Sequence, residues 1–274
     1  MEVTLLGTGD TTGTPTVGCD CATCERAREL AVERSRFSVH VHNDRTGESL
    51  LVDASPDFRH QFLTHEVPLP DAAIITHVHF DHLDGLGNVY RLLRSLPVYA
   101  ADEVDPVTGE SVAGTVRSRY DYLDRIAVHG QSPYESFDAA GFEVTLVPVE
   151  HPPLFSYGLR IEDRAAGTSL AITGDTSWAI PERSRSVLEG ADLALVEGIV
   201  NADYCEHHPA GGDHENDAGV PRTFGTKHMT TTGAREMATE LAADRYRVVH
   251  CSHFMPPELA FADDLAVDGE RFVL

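Results

Sequence analysis

One stretch of this chain indicates its fold more strongly than any other, and it reads Ala72-Ala73-Ile74-Ile75-Thr76-His77-Val78-His79-Phe80-Asp81-His82. Its first five residues are apolar or β-branched, which is typical of a short buried strand. Side chains alternate along an extended chain, so His77 and His79 lie on the same side beyond the strand. Asp81 and His82 follow where a helix is predicted to begin. The stretch is therefore a strand that delivers polar side chains into a turn.

This turn carries three imidazoles and one carboxylate within seven residues of sequence. Imidazole and carboxylate groups suit zinc, manganese and iron. Any one of these residues, taken alone, is equally well explained as a surface residue or a hydrogen-bonded histidine. The group as a whole favours a metal site, and its four candidate ligands can serve two metals.

The pattern His-x-His-x-Asp-His in this context resembles the metallo-β-lactamase superfamily, and the resemblance extends along most of the chain. It begins where a strand enters a glycine turn at residues 5–9. Residues 49–55 are similar to the second strand of that family, and Asp53 matches the aspartate that supports the metal-binding loop. Three later strands each precede a candidate ligand, namely residues 144–149 before His151, 170–173 before Asp175 and 247–249 before His250.

The resemblance implies two catalytic divalent metals, zinc or manganese, that share a water. It places His77, His79 and His151 on one metal, Asp81, His82 and His250 on the other, and Asp175 between them; Asp81 also counts in the catalytic set. A bridging water of this kind loses its proton near neutral pH and becomes the nucleophile. Paired metals also stabilise the attacking and leaving oxygens of a phosphoryl displacement.

A second motif is formed by Cys19, Cys21 and Cys24 in a glycine-containing loop. A structural zinc takes four ligands in a closed tetrahedron, and His253 could supply the fourth. The combination resembles the phosphoribosyl 1,2-cyclic phosphate phosphodiesterases of the carbon–phosphorus lyase pathway and their relatives, which implies a structural zinc here. Three free thiols or a disulfide remain the alternative, although clustered cysteines are rarely used for disulfides in reducing compartments.

His228 lies between the candidate bridging aspartate and the last candidate ligand. In the family that this chain resembles, a histidine at this place lies close to the reacting phosphate. It could donate a proton to the leaving oxygen or a hydrogen bond to the transition state. The threonines at 230–232 offer caps for a following helix, whose N-terminus favours phosphate. The alternative is a solvent-exposed histidine on a loop.

Length and composition indicate a single domain over residues 1–274, because the ligands are spread over the chain and no internal repeat or linker separates them. No apolar run approaches the length of a membrane span, and the N-terminus lacks the pattern of a signal peptide. We therefore expect a cytoplasmic protein with no membrane partner. The resemblance makes a homodimer the expected assembly.

The charge is unusual, since 44 acidic residues oppose 21 basic ones for a net charge of −23. Self-repulsion of this size destabilises a compact state unless salt screens it, which indicates a salt-loving, halophilic host. The alternative is an ordinary acidic protein. Nucleic-acid binders usually show a basic patch, so the charge argues against a nucleic-acid partner.

Two polar segments are predicted to border the site. Residues 201–226 contain Cys205, His207, His208 and His214 without clear periodicity, and long segments of this kind are often lids. A third metal site in this segment is the less favoured interpretation. Residues 104–125 are expected to cover the opposite rim.

The expected fold is α/β, a four-layer αββα metallo-β-lactamase sandwich in which two mixed sheets pack face to face with helices outside. The predicted strands are residues 3–6, 39–42, 50–53, 73–76, 144–149, 170–173, 193–197 and 247–250. The predicted helices are residues 24–33, 57–64, 83–93 and 230–243.

The function that these expectations favour is a binuclear metal-dependent phosphodiesterase acting on a small-molecule cyclic phosphate. Phosphoribosyl 1,2-cyclic phosphate is the substrate that the nearest resemblance implies. The alternatives are a tRNA 3′-end endonuclease, an ester or thioester hydrolase, and a non-hydrolytic cofactor-biosynthesis protein of the same superfamily. No basic glycine-rich arm that could hold a tRNA is found in the sequence.

Overall fold

The structure is a computed structural model that describes residues 1–274, apart from the side chains of Tyr90 and Arg91. The strands are β1 (Glu2–Gly7), β2 (Ser38–Asn43), β3 (Glu48–Val52), β4 (Ala72–Ile75), β5 (Leu96–Ala101), β6 (Ile126–Gln131), β7 (Ser136–Ala139), β8 (Phe142–His151), β9 (Leu154–Asp163), β10 (Thr168–Ile172), β11 (Leu193–Glu197), β12 (Gly212–Glu215), β13 (Pro221–Phe224), β14 (His228–Met229), β15 (Tyr246–Val249) and β16 (Arg271–Val273). The α-helices are α1 (Ala22–Leu30), α2 (Phe58–His65), α3 (Phe80–Leu83), α4 (Val112–Arg119), α5 (Glu182–Leu188), α6 (Thr231–Glu240) and α7 (Pro257–Ala260).

Two mixed sheets form the centre of the molecule. The first has the strand order β16-β1-β2-β3-β4-β5-β6, and β3 to β6 run parallel in it. The second has the order β15-β11-β10-β9-β8-β7, with β10, β11 and β15 parallel. Parallel neighbours bring their carboxyl ends to the same edge, where loops from distant parts of the chain meet.

Alternating side chains of the second sheet divide it between two layers of core. Leu170 and Ile172 of β10 are fully buried in the cluster that includes Leu50 and Ile74 of the first sheet. Ala171, between them, faces the opposite cluster, which contains side chains of α5 and α6. Since α2 and α4 pack on the first sheet, the four-layer αββα sandwich expected from the sequence is confirmed.

The predicted helix at residues 83–93 differs from the structure. The chain forms the short α3 over Phe80–Leu83 and then a 3₁₀ helix over Asp84–Arg91. Gly85 accounts for part of the difference: an ideal Cβ there would lie 1.9 Å from the Ser55 carbonyl oxygen. The tight approach of this turn to the end of β3 keeps the metal-binding loop close to Asp53.

Residues 201–226 are also more regular than expected. They contain a 3₁₀ helix over Ala202–His207 and the strands β12 and β13, which pair with β14 in a small antiparallel sheet. Thr223 of β13 is fully buried, and its hydroxyl accepts a hydrogen bond from the Trp178 amide at 3.0 Å. This segment is therefore attached to the second sheet by specific contacts.

Among the helices of the part of the chain that the structure describes, none is both long and apolar enough to cross a membrane.

Candidate metal centre

The candidate catalytic ligands all leave the ends of strands on one edge of the sandwich. His77 to His82 follow β4, His151 ends β8, Asp175 follows β10, and His250 follows β15. All except His79, which is half-buried, are at most 3% exposed. The chain thus buries a set of titratable side chains against an apolar interior, which is costly unless the groups are paired or bind a cation.

The first group contains His77, His79 and His151. Nδ1 of His79 lies 3.0 Å from Nε2 of His77 and 3.3 Å from Nε2 of His151. These ring nitrogens and a carboxylate oxygen of Asp175 all lie within 4.8 Å of one another. Three imidazoles converging on one point form a donor set that suits zinc or another divalent metal of similar preference.

The second group contains Asp81, His82 and His250. Oδ2 of Asp81 lies 3.7 Å from Nε2 of His82 and 3.8 Å from Nε2 of His250. Thr11 donates a hydrogen bond to the same Asp81 oxygen at 2.8 Å and so fixes the carboxylate. Two imidazoles and a carboxylate again form a donor set for a divalent cation.

Asp175 lies between the two groups. Its Oδ2 atom is 3.7 Å from Nε2 of His77 in the first group. The same atom is 3.3 Å from Nε2 of His82 and 3.2 Å from Nε2 of His250 in the second. One carboxylate oxygen therefore lies within 3.7 Å of candidate ligand atoms in both groups.

Unpaired buried nitrogens show that these residues fit a metal. Among the described side chains, Nε2 of His82 and Nε2 of His250 are buried without a hydrogen-bond partner. A buried polar atom without a partner is destabilising, and a cation between these nitrogens and Asp175 would satisfy both. The second group therefore has the chemistry of a site for a divalent cation.

Several of these residues are in the protonation state that can bind a metal. Burial lowers the pKa of His151 to about 3 and that of His77 well below its ordinary value, so both rings are neutral. Burial opposes ionisation of Asp175, but the imidazoles of His250 and His82 hold its pKa well below the usual range. Neutral imidazoles and ionised carboxylates are the forms that bind metals.

Nearby carboxylates raise the pKa values of both histidines in the second group. Burial lowers the pKa of His82, but Asp175 and Asp53 outweigh it and raise the pKa to about 10. Asp175 likewise raises the pKa of His250 well above its ordinary value, against the effect of burial. Both rings attract positive charge at the place where the donor set would hold a metal.

Neighbouring groups orient the imidazole rings. Nδ1 of His82 donates to Asp53 at 2.6 Å, and Nδ1 of His77 donates to the Thr76 hydroxyl at 3.1 Å. Thr76 in turn donates to Asp53 at 2.7 Å. Nδ1 of His151 donates to the Lys227 carbonyl at 3.1 Å. Each of these hydrogen bonds directs Nε2 towards the candidate metal site. Asp53 lies where the resemblance places the aspartate that supports the metal-binding loop.

Two of these residues adopt backbone angles that are uncommon outside glycine. Asp53 has a φ of 55° and His250 a φ of 61°. Both follow directly after strands, where a left-handed residue turns the side chain back towards the sheet edge. Such conformations cost free energy and persist only where surrounding contacts support them, as the hydrogen bonds to Asp53 do.

His228 lies beside the metal ligands, and its partner was not predicted from the sequence. Its ring centroid is 4.8 Å from that of His151 and 5.3 Å from that of His250. Nδ1 of His228 donates to Glu197 at 2.9 Å, and the Met229 amide donates to the other oxygen of Glu197 at 2.6 Å. The signal in the sequence was a carboxylate at the end of the fully buried strand β11.

The cysteine motif also comes together. Nδ1 of His253 lies 3.5 Å from the sulfur of Cys19, 3.4 Å from that of Cys21 and 3.5 Å from that of Cys24. Tetrahedral zinc, with Zn–S of about 2.3 Å and Zn–N of about 2.0 Å, separates such atoms by about 3.5 Å. The three equal separations therefore fit one zinc-sized cation.

The thiols of this cluster differ in pKa, and burial raises the pKa of Cys24 to about 11. Although burial opposes ionisation, the Cys24 amide and the His253 ring lower the pKa of Cys21 to about 6. Thiolate is the form that binds zinc. All three sulfurs are free thiols. The structure contains no disulfide bond among these three cysteines.

The two polar segments of the sequence, residues 104–125 and 201–226, lie in different parts of the structure. Residues of the 104–125 segment, including Asp105 and Glu110, line a 70 Å³ cavity that also contacts Val78 of the metal-binding loop. In residues 201–226, His214 donates or accepts a hydrogen bond with the Thr223 hydroxyl at 2.9 Å. Among the described residues, Cys205, His207, His208 and His214 join no cluster that could hold a metal.

Comparison with known proteins matches residues 48–251 to the Beta-lactamase superfamily domain. The chain is 27% identical over 267 residues to a protein named octanoyltransferase from Porphyromonas gingivalis, covering 93% of this chain and 47% of that protein. It therefore spans about half the length of this relative. It is 23% identical to a ribonuclease Z from Picosynechococcus, with 98% of this chain and 91% of that protein covered.

Solved structures give a similar result. A structure described as a new diphosphatase from the PhnP family superimposes with a TM-score of 0.76 and 27% identity, covering 99% of this chain and 96% of the other. Zinc-bound PqqB from Methylobacterium extorquens gives a TM-score of 0.78 at 22% identity, with both chains fully covered. At that identity the second likeness shows the fold alone.

Proposed function

The chain belongs to the β-lactamase superfamily, and from that premise we propose that it is a metal-dependent phosphodiesterase that opens a small cyclic phosphate. The membership confirms the superfamily resemblance drawn from the histidine motif. The observation that supports the proposal most strongly is the position of Asp175, whose one oxygen lies within 3.7 Å of ligand nitrogens in both groups. Two metals so placed suit phosphoryl transfer.

The proposed roles of the residues in metal binding are as follows. His77, His79 and His151 hold one divalent metal, Asp81, His82 and His250 hold the other, and Asp175 is shared. Two cations bound there supply Lewis acidity at phosphorus and lower the pKa of an attacking water. Cys19, Cys21, Cys24 and His253 hold a structural zinc. Zinc or manganese is proposed for the catalytic pair.

His228 is proposed as the general acid. Its Nδ1 is engaged by Glu197, so Nε2 remains for the substrate. As water attacks phosphorus and the P–O bond of the ring breaks, a protonated His228 transfers its proton to the leaving oxygen. Glu197 holds the ring in position. Asp53 and Thr76 keep the ligands in their orientation.

Phosphoribosyl 1,2-cyclic phosphate is the substrate we propose, and the assembly we propose is a cytoplasmic homodimer. Similarity to a diphosphatase of the PhnP family supports phosphate-ester chemistry. The cysteine cluster supports a reducing compartment, because free thiols persist there. Ester or thioester hydrolysis and a non-hydrolytic role in cofactor biosynthesis are the remaining alternatives.

A second candidate is a tRNA 3′-end endonuclease, which the similarity to ribonuclease Z along 98% of the chain favours. Such an enzyme needs positive surface to hold the phosphate backbone. The 250 Å³ cavity beside His151 is instead lined by Glu103 and Glu150, with neither lysine nor arginine among its described lining residues. Among the described lining residues, this cavity therefore offers no positive surface for a tRNA backbone, which disfavours the second candidate.

Phosphorus NMR tests the proposal directly. Purified protein loaded with manganese or zinc in high salt is mixed with phosphoribosyl 1,2-cyclic phosphate, with a 2′,3′-cyclic nucleotide, and with a precursor tRNA. Ring opening of the first is expected. Cleavage of the tRNA alone would support the second candidate, and no reaction with any of the three would refute phosphodiesterase activity.

The Asp175→Ala variant tests the role of the carboxylate that is shared by the two groups. It removes the shared ligand, so turnover should fall by more than about 100-fold, the upper range for losing a group that only supports a ligand. The far-ultraviolet circular dichroism should remain that of a folded protein. Retained turnover in this folded variant would contradict the binuclear mechanism.

A further inference from the structure

The segment of residues 10–16 contacts both the second ligand group and the cysteine cluster. Near its start, the Thr11 hydroxyl donates a hydrogen bond to Oδ2 of Asp81 at 2.8 Å. At its end, the Thr16 amide donates to the sulfur of Cys24 at 3.3 Å. A short stretch of chain therefore joins a ligand of one candidate metal site to a ligand of the other.

The contact with Asp81 depends on where the segment holds Thr11. Oδ2 of Asp81 is the oxygen that lies 3.7 Å from Nε2 of His82 and 3.8 Å from Nε2 of His250. Asp81 is 2% exposed, whereas Thr11 is exposed to solvent. Water competes for an exposed hydroxyl, so this bond orients Asp81 firmly only when the backbone of Thr11 is held in place.

Hydrogen bonds within the segment link its two ends. Oδ1 of Asp10 accepts from the amides of Thr12 at 3.0 Å and Gly13 at 3.1 Å. The Thr16 hydroxyl donates to the Gly13 carbonyl at 2.5 Å. Gly13 has a φ of 69°, which a residue without a Cβ adopts at little cost. A displacement at Thr16 is therefore passed on to Thr11 through this network.

A second connection runs through the chain that follows β15. His250 is a candidate ligand of the second group, and His253, three positions later, contacts the three sulfurs of the cysteine cluster. The Cys251 amide donates to the Thr8 carbonyl at 3.0 Å, and the Cys251 carbonyl accepts from the Asp10 amide at 3.3 Å. The two connections are thus hydrogen-bonded to each other, and each reaches one ligand of the second group.

The first ligand group is held by other parts of the chain. Nδ1 of His77 contacts the Thr76 hydroxyl, and Nδ1 of His151 contacts the Lys227 carbonyl. His79 contacts the rings of those two histidines. Among the described residues, these hydrogen bonds lie outside both connections. An effect transmitted from the cysteine cluster should therefore reach the second group and not the first.

We propose that the cysteine cluster and the second ligand group bind their cations cooperatively, with Thr11 as the positioning residue that couples them. The proposal rests on the metal-binding roles proposed above. Four ligands on one zinc would fix Cys24 and His253 relative to each other, and with them both connections. Asp81 and His250 are then oriented before their cation binds, which lowers the cost of binding it. By linkage, the effect is reciprocal.

Manganese binding measures this coupling without any substrate. Zinc suits thiolate ligands, whereas manganese prefers oxygen ligands and so leaves the cysteine cluster to zinc. Protein that carries one zinc per chain is titrated calorimetrically with manganese, and wild type should bind two manganese ions. Thr11→Val should weaken one of the two by about 10- to 100-fold, the loss expected when a group that supports a ligand is removed. The other ion should bind as in wild type.

Two further variants serve as controls. Thr11→Ser keeps the hydroxyl and should restore most of the lost affinity. Thr46→Val makes the same change at an exposed residue in the turn between β2 and β3, where the hydroxyl accepts from the Glu48 amide at 3.3 Å. It should bind both manganese ions as wild type does. Unchanged binding in Thr11→Val, or an equal loss for both ions, would overturn the role of Thr11.

A double-mutant cycle tests the coupling itself. Cys21→Ser should weaken the same manganese ion by about 5- to 150-fold, the range of typical coupling between two sites. Thr11→Val combined with Cys21→Ser should lose little more than the more affected single variant, because a hydroxyl on a displaced segment no longer orients Asp81. Additive losses would show that Thr11 and the cysteine cluster act independently, and the proposal would fail.

Zinc release provides a reciprocal measurement in proteins that keep the whole cysteine cluster, so it does not depend on the folding of Cys21→Ser. A chromophoric chelator that binds zinc far more tightly than manganese reports the rate of zinc loss. Manganese should slow this loss in wild type and slow it less in Thr11→Val. Equal slowing in both proteins, or none in wild type, would refute cooperative binding.

These readouts are separate from the proposed function, because none of them uses turnover. Cooperative binding in a protein that hydrolyses no phosphodiester would refute only the phosphodiesterase. A wild type that binds fewer than two manganese ions would overturn the coupling, whichever substrates it hydrolyses.

Discussion

Glu197 illustrates how a single side chain is placed by the fold. It is 1% exposed, and its two oxygens accept hydrogen bonds from the His228 ring and the Met229 amide. A buried carboxylate that accepts a hydrogen bond from an imidazole fixes the orientation of the ring. Glu197 also lies 3.7 Å from Nδ1 of His250, so it is close to both His228 and a candidate metal ligand.

Glu197→Gln should slow hydrolysis of diesters with poor leaving groups by about 100-fold, the lower range for general acid catalysis, and affect good leaving groups much less. The amide keeps the shape of the side chain but removes the negative charge that accepts the hydrogen bond from His228. The measurement is kcat for a series of aryl and alkyl phosphodiesters, together with its pH profile.

A double-mutant cycle with His228→Ala provides the control. Because both residues serve one proton transfer, the double variant should lose little more activity than His228→Ala alone. Glu215→Gln, at an exposed position of β12, should behave like wild type. Additive losses, or a uniform loss across all leaving groups, would contradict the proposed pairing.

Among the secondary-structure elements, the strands that are buried on both faces could be predicted from the sequence. β4, β10 and β11 consist entirely or almost entirely of buried residues and were expected close to their observed bounds. β6 and β7 were not predicted, because their side chains are largely exposed or half-buried and lack an apolar alternation. Pairing with a neighbouring strand, rather than local preference, makes them strands.

The cysteine cluster joins the start of α1 to the chain that follows β15. Cys21→Ser should lower the zinc content by about one ion per chain and reduce the midpoint of thermal unfolding, since binding energy of a structural zinc is folding energy. Turnover per folded molecule should change less than stability does. Metal analysis and calorimetry measure these effects.

Cys205→Ser is the matched control, because Cys205 is buried outside every candidate metal cluster of the described residues. It should keep the zinc content of wild type. If Cys21→Ser also keeps it, the four residues do not form a zinc site.

Thr230 caps the helix that follows His228. Its hydroxyl accepts from the Gly233 amide at 3.0 Å and donates to the Pro221 carbonyl at 2.8 Å. Thr230→Ala should lower the free energy of unfolding by about 1–2 kcal/mol, since it removes an N-cap and leaves a buried carbonyl without its donor. Denaturant unfolding of metal-saturated protein measures the change.

Thr239→Ala, on the exposed side of α6, removes only a hydroxyl bond to the Arg235 carbonyl. It should change the free energy of unfolding by less than about 0.5 kcal/mol. Equal effects of the two substitutions would show that the cap at Thr230 contributes nothing particular to α6.

At the level of the whole molecule, the surplus of acidic residues sets the response to salt. The 44 acidic and 21 basic residues leave a net charge of −23, whose self-repulsion opposes the compact state. Arginines relieve it only locally, in pairs such as Arg235 with Asp264 at 2.6 Å. Most of the repulsion acts over longer distances, where dissolved ions screen it.

The midpoint of thermal unfolding should therefore rise by about 5 °C or more between 0.1 and 1 M potassium chloride, as the Debye length falls from about 10 to about 3 Å. Calorimetry of the metal-loaded protein measures it. The rise should flatten near 1 M, where screening is nearly complete. A midpoint that stays constant or falls with salt would contradict this account of the charge.

The amino-acid sequence alone was sufficient to name the candidate ligands, their order and most of the buried strands, and the resemblance to the superfamily supplied the sandwich that carries them. These depend on local spacing and on buried strands, which leave a direct pattern in the chain. Tertiary structure alone showed that Asp175 reaches both ligand groups, that Glu197 holds His228, and that the Lys227 carbonyl accepts a hydrogen bond from His151. The reason is physical: these contacts join residues 31 to 98 positions apart, whose meeting depends on strand pairing and packing rather than on local preference.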